Sequence, residues 1–126
     1  MSVRALLPVV AVGLSLALAW PAAAAIDCQT TVDSAELLVC ARIDLEAAEK
    51  SVAALERKTL AILRPNGRGV FTDAQTTWKA WRDADCAWNA YDLDSGTSDA
   101  LILATCRADM TMTRADDLQS ALETIH

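Results

Sequence analysis

Histidine is nearly absent from this 126-residue chain: the single one, His126, is the last residue. A Ser-His-Asp or Cys-His catalytic arrangement, or a histidine-based metal site, has no side chain to build on. Glycine is scarce as well, and its four occurrences form no glycine-rich phosphate loop. Cations are outnumbered, with 11 Lys and Arg against 17 Asp and Glu, a net charge of -6. That balance argues against nucleic acid or an anionic membrane as partner and suits a cationic protein. Strand-like alternation, internal repeats and low-complexity tracts are missing beyond the first 25 residues. Carboxylates are plentiful, but no pair of them is singled out for acid-base work, so the chain reads as a non-enzyme without metal or cofactor.

The first 25 residues read as an export signal. A short basic start ending at Arg4 is followed by an apolar run, Ala5 to Ala19, and by Pro21 to Ala25 with small residues for cleavage. The run is short for a membrane span, and nothing after it reads as a stop-transfer segment. Cys28 is not preceded by a lipobox, since Asp27 stands where a small residue is needed. Cleavage after Ala25 leaves 26–126 as one domain, periplasmic or secreted, without a membrane anchor. Loss of Arg4, the one charge in residues 1–25, takes the net charge from -6 to -7.

The densest stretch is Gln75 to Trp88, which holds three of the four tryptophans, a Trp-Arg-Asp run and a cysteine. As a helix it places Trp78, Trp81, Asp85 and Trp88 on one stripe, with Arg82 beside it. The expectation is a central helix whose tryptophans form core, with exposed anchors on a binding face as the alternative, and whose Arg82 pairs internally with Asp83 or Asp85. Upstream, Asp33 to Glu36 is a capping box. Leu38, Ala41, Leu45, Ala48, Val52, Leu55, Thr59 and Ile62 then recur at heptad-like spacing, up to the break at Arg64-Pro65-Asn66-Gly67. Glu46, Glu49, Lys50, Glu56, Arg57 and Lys58 form its charged side. A second capping box, Thr72 to Gln75, predicts the start of the tryptophan helix, with Phe71 as staple. Turn formers from Asp92 to Ser98 separate it from a third helix opening at Thr97 or Ser98. That helix carries Leu101, Ala104, Ala108, Thr111, Ala115, Leu118, Leu122 and Ile125 at the same spacing. An all-α, antiparallel three-helix bundle with two disulfides is the expected fold.

Four cysteines in an exported chain suggest two bridges. Cys86 and Cys106 are equally far from Gly96, level across the second hairpin, and Cys28 can fold back onto Cys40. Hairpin geometry favours those pairs and leaves the other two connectivities open.

The ordered pattern resembles the LprI-type lysozyme inhibitor family of small exported bacterial helical domains, over residues 28–118. Its carriers are Cys28, Glu36 to Cys40, Gln75, Trp78, Trp81, Arg82, Asp83, Cys86, Cys106, Arg114 and Leu118, with Asp85 inside the signature helix. Glu49 and Glu56 stand where the family usually has an aspartate and a tyrosine, and a glycine pair is reduced to Gly96. The resemblance implies inhibition of a lysozyme, a cationic muramidase for which an acidic chain is suited. Contacts are expected from acids near the second hairpin tip, Asp92, Asp94 and Asp99. The alternative is an envelope structural or interaction module with no lysozyme activity.

Overall fold

The computed structural model describes residues 25–124. Three helices follow one another: α1 (Ser34–Ile62), α2 (Pro65–Asn89) and α3 (Ala100–Thr124). Between α2 and α3 lies a minute antiparallel ribbon of β1 (Tyr91–Asp92) and β2 (Thr97–Ser98). The bundle is all-α apart from that ribbon. The export signal and Ile125 lie outside the described residues.

The start of α1 is set by Asp33, whose carboxylate accepts from the backbone N–H groups of Ala35 and Glu36, both at 3.0 Å. This satisfies two donors that a helix start leaves without partners. Its end is set by Pro65, which holds Arg64 in extended conformation and lets the chain turn. The second helix then begins at Pro65 itself, almost two turns before the Thr72 start that the capping box suggested. Proline at the first helical position brings its own φ and lacks only an N–H that would be unpaired there. Thr72 is inside the helix, where its carbonyl accepts from the Thr76 hydroxyl at 2.9 Å.

The third helix opens later than the sequence suggested. Thr97 and Ser98 pair with Asp92 and Tyr91 as ribbon, and Asp99 caps α3 by accepting from Ile102 N–H at 2.9 Å. Gly96 takes a positive φ of 69° at the tip, which favours a residue without Cβ.

The closest helix pair is α1 with α3, not a central α2. Alanines explain this. Ala41 and Ala48 on α1, with Ala104, Ala108 and Ala115 on α3, are all buried and let the two backbones approach closely. Lower in the bundle, Val52 and Leu55 interlock with Ala115, Leu118 and Leu122, and Phe71 of α2 packs against that cluster. The second helix lies over this pair and presents mostly polar groups to it: its buried residues are Gln75, Arg82 and Cys86. Two disulfides fasten the end where the ribbon lies, Cys28–Cys40 and Cys86–Cys106. Met110 packs its sulfur 3.4 Å from Cys86 Sγ, a contact between two groups with no proton to share.

Candidate functional site

Two features built by α2 divide the sequence motif between them: a polar seam facing inward and an aromatic face turned outward.

The seam follows from register. Gln75 and Arg82 are two turns apart on α2, and Glu56 and Glu49 are two turns apart on the antiparallel α1. Gln75 Nε2 donates to Glu56 Oε1 at 2.8 Å, and Arg82 Nη1 reaches Glu49 Oε1 at 3.4 Å. From α3, Arg114 Nε donates to Gln75 Oε1 at 2.9 Å and its Nη2 to the same oxygen. Arg82 Nη1 donates to Thr111 Oγ1 at 2.9 Å, while that hydroxyl gives its proton to the Arg107 carbonyl at 2.6 Å. Arg82 also holds Asp83 Oδ1 at 2.9–3.0 Å through Nη2 and Nε. Arg107 Nε lies 3.1 Å from that same oxygen as an ion pair, without directing its N–H at it. Lys79 adds a contact of 3.0 Å to Glu56. The Trp78 ring lies under both guanidinium groups, at 5.4 Å from Arg82 and 5.5 Å from Arg114. Such stacking is favourable, more so where water is excluded.

Thr111, Gln75 and Arg82 are almost completely buried, at 1%, 4% and 8% exposure. Each has hydrogen-bond partners across the seam, as a low-dielectric interior requires. The seam therefore fixes how α2 sits on α1 and α3. Its hollow of about 290 Å³ beside Trp78 is walled by groups already committed to one another. Glu49 and Glu56 escaped the sequence reading because they were grouped with a solvated face. Their spacing, matched to that of Gln75 and Arg82, was the available signal.

Other signature residues go elsewhere. Glu36 accepts from the Thr31 hydroxyl before α1, and Leu118 is core. Asp85 accepts from Asn89 Nδ2 at 3.1 Å and leaves Arg82 to Asp83, its immediate neighbour in sequence.

The aromatic stripe is not uniformly core, as the sequence suggested; only Trp78 turns inward. Trp81 is 57% exposed and Trp88 71% exposed, because the inward positions of α2 are taken by Gln75, Arg82 and Cys86. In the hairpin that follows, Tyr91 and Leu93 are exposed too, on either side of Asp92. Asp92 Oδ1 accepts from Asp94 N–H at 2.9 Å. That backbone bond, and then the Ser95 side chain, hold the Asp92 carboxyl below its usual value of 3.8. Asp94 is likewise exposed at the tip, whereas the Asp99 carboxylate is engaged at the start of α3. Two indoles of α2 and two carboxylates of the hairpin are thus exposed.

The family described as lysozyme inhibitor LprI matches residues 25–118, from the first bridge through most of α3. The chain belongs to the LprI family. An uncharacterised protein of Rhizobium meliloti (strain 1021) is 24% identical over 110 residues, covering 77% of this chain and 79% of its own. No solved structure matches the chain. The polar seam is thus turned inward, while Trp81 and Trp88 on the outer side of α2 stay exposed. No helix among the described residues is long and apolar enough to cross a membrane.

Proposed function

We propose that this LprI protein acts outside the cytoplasm, in the periplasm or secreted, as an inhibitor that binds a cationic lysozyme. In this reading residues 1–25 are removed on export, and 26–126 is the active unit. The observation that carries it is the exposure of Trp88, at 71%, and Leu93, at 81%, beside Asp92 and Asp94. Large aromatic side chains serve as anchors because they bury much area for little lost entropy. Acids around them steer a cationic partner and fix its orientation. A ribbon of this kind, backed by a disulfide one turn below Ala90, is rigid enough to plug the cleft of a muramidase without supplying any chemistry.

Turbidity of a cell-wall suspension tests the proposal. Oxidised 26–126 added to an animal or bacterial lysozyme should slow clearing in proportion to dose, close to one inhibitor per enzyme. Trp88→Ala should weaken inhibition about thirtyfold, the loss expected of a binding hot spot. Unchanged clearing with every lysozyme tried would reject inhibition. The same face would then serve a cationic envelope protein, the interaction-module reading that its exposed tryptophans equally support.

A further inference from the structure

The two disulfides meet solvent differently. Cys86 is fully buried and Cys106 half-buried, and the Met110 sulfur packs on both, 3.4 Å from one Sγ and 3.9 Å from the other. Cys28 is exposed, and only its partner Cys40 is buried, at 6%. An open hollow of about 370 Å³ between the first halves of α1 and α3 is lined by Cys28 and Cys40 themselves, with Leu37 and Leu101. A small reagent therefore reaches this bridge without any part of the bundle opening. The other bridge is reached only through local unfolding.

The segment that Cys28 tethers has little else to hold it. From Ala25 to Val32 only Thr31 is half-buried, and Val32 is 91% exposed. Its side-chain hydrogen bonds stay local: Asp27 accepts from Gln29 N–H at 3.0 Å and from the Thr30 hydroxyl at 2.8 Å, and Thr31 donates to Glu36. Among the described residues, the charged lining of the hollow is Asp44 and Asp109, with no cation. Both of these acids are exposed. They disfavour a thiolate that carries a second negative charge and favour one that carries a cation.

We propose that Cys28–Cys40 is a thiol-exchange site for a small neutral or cationic thiol. The thiolate attacks Sγ of Cys28, the exposed partner; a new sulfur–sulfur bond forms there and the bond to Cys40 Sγ breaks. The leaving Cys40 thiolate takes a proton from water. A second thiol then displaces Cys28 from the mixed disulfide, so that two electrons pass from two thiols to the bridge. Either step frees the segment before α1, while Cys86–Cys106 keeps α2 and α3 joined. The site shares no residue with the ribbon face, and its test does not involve lysozyme.

Oxidised 26–126 is treated with cysteamine, 2-mercaptoethanol or 2-mercaptoethanesulfonate, quenched in acid and mapped by peptide mass. Each rate is divided by that of the same thiol with a neutral small disulfide, which removes intrinsic reactivity. The mixed disulfide should form on Cys28, at least about tenfold faster than any adduct at Cys86 or Cys106. Cysteamine should lead and the sulfonate trail, a spread that added salt narrows. Asp44→Asn with Asp109→Asn should bring the three rates together. Amide exchange in α2 should stay unchanged while it rises in the segment before α1. Adducts on both bridges together, attachment to Cys40, or exchange that rises through α2 would overturn the proposal. So would the absence of a charge order, or one that the paired substitutions leave intact.

Discussion

Arg82 gathers three helices through one guanidinium: it touches Glu49 of α1, Asp83 of its own helix and Thr111 of α3. The partners differ in what they contribute. Thr111 is buried, so Thr111→Val keeps the shape but leaves an Arg82 N–H without its best acceptor, a loss of about 1–3 kcal/mol. Glu49 has a half-exposed side chain, and Glu49→Gln should cost under about 1 kcal/mol. Urea unfolding should show that order in its midpoints, with slopes unchanged; equal midpoints would mean that Arg82 is satisfied by Asp83 alone. A second residue-scale expectation concerns acid. The Asp92 carboxyl titrates below 3.8 because its ionised form accepts backbone and Ser95 hydrogen bonds at the tip. Its contribution to the turn is therefore fully present above that value and is lost only as pH falls through the lowered one. Carboxyl NMR titration should find Asp92 still charged in mildly acidic solution, and the Asp94 amide should respond together with it. An Asp92 midpoint at or above 3.8 would contradict the turn geometry.

Among the elements, α2 is the one that depends on fastening, because it faces its neighbours with polar groups instead of an apolar stripe. The Cys86–Cys106 bridge closes a separation of 20 residues and the Cys28–Cys40 bridge one of 12. Loop-closure arguments give each about 3 kcal/mol, with the location of the effect differing. Removing Cys86–Cys106 with paired alanines should raise amide exchange through the second half of α2 and the ribbon. Removing Cys28–Cys40 should affect the segment before α1 and its first turns. Exchange that rises uniformly in both variants would mean that the bundle unfolds only as a whole. The same contrast explains what the sequence made legible. The seams of α1 and α3 were readable because apolar residues at regular spacing, Ala41 to Thr59 and Ala104 to Leu122, do bury along one side. The outward turn of Trp81 and Trp88 was not, since hydrophobicity argues for burial and here yields to the polar pairing of Gln75 and Arg82. Helix starts misled for a related reason: Thr72 and Ser98 are good caps, but Pro65 and Asp99 are better placed by the chain around them. The motif residues Gln75, Trp78, Arg82, Asp83 and Arg114 do assemble in space, bound to one another across the helices.

Across the whole molecule, charge and apolar surface are divided between two ends. The ribbon end combines exposed Trp88, Tyr91 and Leu93 with Asp92 and Asp94; the far end carries exposed Val70 and charges of both signs, Lys58, Arg64 and Arg68 with Asp73, Asp117 and Glu123. A cationic lysozyme should therefore approach the ribbon. Raising salt should slow its association more than its dissociation, since long-range steering is screened while buried contacts are not. The most direct test is a titration of one lysozyme with oxidised 26–126, its Trp88→Ala variant and its Val70→Asp variant, following both heat and cell-wall clearing. One-to-one binding that protects the wall, lost about thirtyfold with Trp88→Ala and kept with Val70→Asp, is the expected result. Tight binding untouched by Trp88→Ala, or no binding at all, would contradict inhibition through the ribbon face.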